Sequence, residues 1–115
     1  KIKGKKPDLL FFGGMDGQGA PMAKQMQSLG LSMQLLGGDG IHTAEFMKLA
    51  ATAAEGVVAS LPGRPLDTLA NGPAFKKRFE ARIRFDAQGD LTQGSITVYR
   101  AKAGQWQVLK TIESK

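Results

Sequence analysis

The segment Leu9-Leu10-Phe11-Phe12-Gly13-Gly14-Met15-Asp16 decides the fold. Its four unbroken apolar residues read as a strand buried on both faces, as in parallel sheets, and the two glycines end it. Met15 and Asp16 then fall on a glycine-rich loop, Gly13 to Pro21, that hands over to a helix. The same pattern returns in Leu35-Leu36, the loop Gly37-Gly38-Asp39-Gly40, then His42-Thr43 and a second helix. Two tandem strand–Gly-Gly–acid–helix units place Asp16 and Asp39 at the carboxyl ends of adjacent parallel strands. In open α/β sheets that rim is where ligands bind.

Outward from this core the elements follow in order. Ile2–Lys6 is the end of a helix or a connector, and Pro7-Asp8 turns into the first strand. The first helix is expected over Ala20–Leu29, with Pro21 in its first turn, Met22, Met26 and Leu29 on its apolar face and Gly30 as its cap. Leu31–Leu36 forms the second strand. Thr43 caps a helix running through Phe46, Met47 and Ala50, with Glu45 favourably placed in the first turn. The alanine-rich stretch Ala50–Glu55 either continues that helix or breaks it. Val57–Ser60 is a third strand, and Leu61 to Pro73 is an extended loop.

A third helix, Pro73–Ala81, packs through Phe75 and Phe79. From Ile83 the pattern alternates: Ile83, Phe85 and Ala87 form strand, Gln88-Gly89-Asp90 turn. Ser95–Ala101 and Trp106–Ile112 are strands joined by the hairpin loop Lys102–Gln105. The fold class is therefore α/β: a short parallel three-strand βαβαβ core with helices on its faces and a C-terminal antiparallel hairpin.

The 115 residues make one domain, 1–115, with 42% apolar residues and no run approaching the ~20 that a membrane span needs. The basic start, Lys1 to Lys6, precedes no apolar signal region, so the chain is either cytoplasmic or has lost a leader. Absence of cysteine excludes disulfides and zinc–thiolate sites. The net charge is +6, and the basic residues cluster in two places, Lys1–Lys6 and Lys76 to Arg84. No aromatic residues interleave there to stack bases, so this is a solvated basic face and no nucleic-acid partner is expected.

Catalytic and metal chemistry is poorly supplied. One histidine, no cysteine and no metal-ligand spacing leave no catalytic residue and no metal site, and no enzyme is expected. A lone His42 at a helix start reads as a structural residue with a satisfied imidazole. The glycine loops lack the Lys-Ser/Thr pair of a P-loop and the third glycine of a dinucleotide fingerprint, and Asp16 and Asp39 would repel phosphate. Carboxylates on the rim suit an ammonium group. They equally suit turn caps, and spacing alone leaves both readings open.

The stretches LLFFGGMDGQGAPMAKQMQSLGL, LLGGDGIHTAEFMKLAATAAEGVVASLPG and RIRFDAQGDLTQGSITVYRAKAGQWQVLKTI resemble the solute-binding proteins of branched-chain amino acid ABC transporters. These are the leucine/isoleucine/valine-binding type of class I periplasmic binding protein. The resemblance runs from Lys1 to about Arg82 and again from Ile83 to Ile112, and covers only the second lobe of a two-lobed clamshell. It implies a non-enzymatic, periplasmic receptor that closes on an amino acid and docks on a membrane permease. Asp39 stands where the family's acid receives the ligand's α-ammonium. Met15, with Asp16 beside it, stands where relatives often carry an aromatic residue against the ligand, between the turn glycines Gly14 and Gly38. Arg78 to Ile83 looks like a splice where the family's excursion through the first lobe should be, so a truncated lobe is expected. Leu9–Phe12 would then be an exposed edge able to pair with a second copy as a dimer or swapped assembly. The other readings are a flavodoxin-like phosphate or nucleotide binder using the two glycine loops, and a ligand-free engineered lobe.

Overall fold

A computed structural model of the chain describes residues 2–65, 68–72 and 94–113. The expected helix Pro73–Ala81, the strand from Ile83, the turn at Gln88–Asp90, the basic cluster Lys76 to Arg84 and the apparent splice lie outside the described residues. The order is α1 (Ile2–Lys5), β1 (Leu9–Phe12), α2 (Asp16–Ser28), β2 (Gln34–Gly37), a 3-10 turn (Asp39–Ile41) and α3 (Ala44–Ala50). A second 3-10 turn (Ala51–Ala54), β3 (Val58–Pro62), β4 (Ser95–Lys102) and β5 (Gln105–Glu113) complete it.

One sheet carries the strands in the order β1-β2-β3-β4-β5. The first three are parallel, and β3–β4 and β4–β5 are antiparallel. The expected parallel core with an antiparallel hairpin is the architecture found. The hairpin turn is tighter than expected, since only Ala103 and Gly104 separate the strands. Both have positive φ, 50° and 73°, the backbone of a two-residue turn that matches strand twist.

Several boundaries differ from the sequence reading. Helix α2 begins at Asp16, so Pro21 lies inside it and the loop after β1 is only Gly13 to Met15. The buried stripe of α2 is Gly19, Ala20, Ala23 and Met26, whereas Leu29 is exposed. Its end is as expected. Gly30 has φ 61°, the Leu31 amide donates to the Met26 carbonyl and the Gly30 amide to the Gln27 carbonyl, which closes a Schellman cap. Strand β2 starts at Gln34 rather than Leu31, and β3 is Val58–Pro62 rather than Val57–Ser60. The alanine-rich stretch breaks α3, with Ala51 at φ 52°.

Strand β1 is not buried on both faces. It is an edge strand, with Leu9 at 49% and Phe11 at 62% exposure, because β2 covers one side and no described strand covers the other. The core sits between the sheet and its helices, where Ala20, Ile41 and Phe46 are fully covered beside Leu35, Ala59 and Ala101. Burying Phe46 contributes about 1.5–3 kcal/mol. Thr97 is the one buried polar side chain among the described residues, and it is satisfied: its hydroxyl donates to the Gly63 carbonyl at 2.7 Å and lies 3.1 Å from the Thr111 hydroxyl. No helix among the described residues is long and apolar enough to cross a membrane.

Candidate functional site

In the parallel pair β1–β2, Phe12 lies opposite Gly37, so the chain leaves both strands at the same level. The segments Gly13–Met15 and Gly38–Asp39 therefore emerge side by side on the carboxyl rim. They touch through glycine. A Cβ on Gly40 would lie 2.6 Å from the Gly14 carbonyl oxygen and 2.8 Å from Met15 Sδ, so any side chain there would force the loops apart. Gly14, Met15 and Gly40 make one surface, with Gly38 half-buried beside them.

The two aspartates of the repeated motif end up in different environments. Asp16 is not on a loop but in the first turn of α2. Its Oδ1 accepts from the Gly17 amide at 2.8 Å and its Oδ2 from the Thr43 hydroxyl at 2.9 Å. Asp39 is exposed, and among the described residues its carboxylate makes no hydrogen bond or ion pair. Met15, whose Sδ approaches Gly40, the residue after Asp39, is 64% exposed. The rim thus presents one uncommitted carboxylate next to one soft apolar side chain, a pairing that suits a small cation carrying an apolar group.

Thr43 is the junction behind this rim. Its hydroxyl accepts from the Phe46 amide at 2.9 Å, capping α3 as the sequence suggested, and donates to Asp16. Its carbonyl accepts from Trp106 Nε1 at 3.1 Å. The role of Trp106 was not legible in the chain, where it reads only as a strand residue; the bond spans sixty-three positions. His42 departs from expectation. Its ring centroid is 4.1 Å from that of Tyr99 and 4.9 Å from that of Trp106, and its Nε2 is buried with no hydrogen-bond partner. Its Nε2 is left unsatisfied because the hairpin packs the rings of Tyr99 and Trp106 against the imidazole. Burial pushes its pKa below the ordinary 6.5, outweighing an upward pull from its own backbone.

A phosphate is poorly served by this geometry. The first turn of α2 holds the Asp16 carboxylate, which already takes the Gly17 amide. No group of three or more potential metal ligands occurs among the described residues. A groove of about 320 Å³ lies at the other, amino-terminal end of the sheet, between α2 and the stretch Thr52–Val57. Met26, Met33 and Leu35 line it, and neither Met15 nor Asp39 reaches it.

The Leu/Ile/Val-binding protein BraC3 of Rhizobium johnstonii is 34% identical over 58 residues, half of this chain and 16% of that protein. The Leu/Ile/Val-binding protein homolog 1 of Brucella abortus is 32% identical over 76 residues, 66% of this chain and 20% of that protein. The chain is related to part of the Leu/Ile/Val-binding proteins. It spans no more than a fifth of the length of these curated relatives.

No family model matches the chain. Among solved structures, the leucine-binding protein LivK of Thermotoga maritima superposes with a TM-score of 0.76 at 15% identity, over 97% of this chain and 48% of that one. The branched-chain amino acid transporter substrate-binding protein LivJ of Streptococcus pneumoniae, solved with isoleucine, gives 0.76 at 14% identity, over 98% and 47%. The fold is that of part of a periplasmic binding protein.

Proposed function

We propose that this chain supplies part of the second lobe of an amino-acid receptor of an ABC importer, acting by capture rather than catalysis. The observation that carries this reading is Asp39: an exposed carboxylate on the rim, uncommitted among the described residues, beside the exposed thioether of Met15. Asp39 receives the ligand's α-ammonium through charge-assisted hydrogen bonds. Met15 packs on the ligand side chain, and its soft, flexible thioether admits more than one branched aliphatic group. Gly14 and Gly38 let the ligand approach the backbone closely, and Asp16 fixes α2 against Thr43 and so holds Met15 in place. In the whole receptor the second lobe closes over ligand held by the first, and the closed form docks on a membrane permease from the periplasm.

The chain folds as a single domain and binds weakly by itself, because a ligand held only at its ammonium end still loses its translational freedom. The β1 edge, which no described strand covers and where Leu9 and Phe11 are exposed, takes a second copy of the chain. A phosphate-binding reading has less support, since Asp16 occupies the amide it would need.

Calorimetric titration of leucine, isoleucine and valine near neutral pH tests the reading. Weak binding of all three, lost in Asp39→Ala, is the expected result. Equal binding by the variant would remove Asp39 from the site.

A further inference from the structure

We propose that His42 is an acid-sensitive latch that holds the rim segment Gly38–Ile41, and with it Asp39, against the C-terminal hairpin. The inference builds on the proposed ligand site only in its consequence for binding; the latch itself stands on the packing around one side chain.

Three observations converge. The imidazole is wedged against Tyr99 of β4 and Trp106 of β5, with centroids 4.1 and 4.9 Å away. Its Nε2 is buried and has no hydrogen-bond partner among the described residues. The next residue, Thr43, is bonded through its carbonyl to the Trp106 indole, so the wedge and the hydrogen bond clamp the same turn to the same strand. His42 itself ends the 3-10 turn Asp39–Ile41, its amide donating to the Asp39 carbonyl at 2.9 Å. A shift of the imidazole is therefore transmitted to Asp39 through three residues of tightly turned backbone.

Protonation places an N–H on Nε2 where no group among the described residues accepts it. The two aromatic faces attract a cation, but they cannot accept the in-plane hydrogen bond that the new N–H requires. No carboxylate among the described residues compensates. Asp39 is exposed, Glu45 of α3 is exposed and lies 3.9 Å from Lys48, and both oxygens of Asp16 are engaged. Around the rings, Tyr99 is the titratable neighbour on β4, Arg100 lies on the opposite face of the sheet, and Trp106 is flanked by Gln105 and Gln107. Acid therefore drives the ring out of its slot, frees the rim segment and weakens the ammonium site.

The chain carries one histidine and one tryptophan, so both partners have unambiguous signals. The test follows the His42 imidazole resonances, the Trp106 fluorescence and the amide resonances of Gly38–Ile41 in the ligand-free chain from about pH 8 to about pH 5. All three are expected to move with one shared midpoint below the ordinary imidazole value, and His42→Phe, which keeps an aromatic wedge but no proton, is expected to be flat. A His42 midpoint at or above the ordinary value, a silent Trp106 while His42 titrates, or the same transition in His42→Phe would each overturn the latch. Should the variant not fold, coincidence or divergence of the wild-type midpoints still decides. Valine titration at about pH 7.5 is read separately. Its failure there counts against the ligand site and leaves the ligand-free titration as the judge of the latch.

Discussion

At the scale of single residues, Thr43 carries more of the structure than any other polar side chain on the rim. Its one hydroxyl caps α3 and ties down Asp16, so Thr43→Val removes two hydrogen bonds and leaves a carboxylate oxygen without its donor. A loss of about 1–2 kcal/mol is expected by urea denaturation, with Thr43→Ser close to the parent. His42 makes stability depend on pH with a definite sign. Its folded pKa is lowered, so the unfolded chain takes up the proton first as acid is added. The stabilisation is complete above about 6.5 and drains away as pH falls through the lower folded value. The urea midpoint should drop between about pH 7.5 and pH 5.5 in the parent and drop less in His42→Phe.

The cap at Thr43 was legible in the sequence because it is local, joining residues three apart. Its bonds to Asp16 and to Trp106 span twenty-seven and sixty-three positions, and no spacing rule reaches that far. For the same reason the motif could not tell the two aspartates apart. Both follow a glycine pair, yet a tertiary contact claims one carboxylate and leaves the other open.

At the scale of elements, α2 shows why its start was misplaced. Gly17 and Gly19 are poor helix formers and suggest loop. Gly19 is nevertheless helical, its amide donating to the Met15 carbonyl at 2.8 Å, because a Cβ there would lie 2.9 Å from Ile41. That glycine serves close packing, which local propensity cannot reveal. The apolar run of β1 similarly signalled a strand correctly but not its place at the edge, since order in a sheet is a property of the other strands. The hairpin offers a test of its own. Ala103 adopts φ 50°, a conformation that costs an L-residue with a Cβ about 1–2 kcal/mol. Ala103→Asn, giving the Asn-Gly pair that such turns favour, should raise stability by about 0.5–1 kcal/mol in thermal or urea unfolding. The Glu55 carboxylate that accepts the Ala103 amide is undisturbed by that change.

At the scale of the whole molecule, the sheet has the proposed ligand rim at the carboxyl end of its parallel strands and an apolar edge at β1 that no described strand covers. If a second copy covers that edge, Phe11→Lys should shift the chain toward monomer in sedimentation velocity without changing its circular dichroism. An unchanged mass distribution would assign the edge no role in association. The chain superposes over nearly its whole length on less than half of the LivK and LivJ structures, so its fold is part of theirs.

Asp39 is proposed as the acceptor of a ligand's ammonium group. The most direct measurement is amide chemical-shift mapping of this chain with leucine and with N-acetyl-leucine, which keeps the side chain and carboxylate but has no ammonium. Leucine should shift Gly14, Met15 and Gly38–Gly40, and N-acetyl-leucine should leave them in place. Equal shifts from both compounds, or leucine shifts confined to the groove near Met33 and Val57, would contradict it.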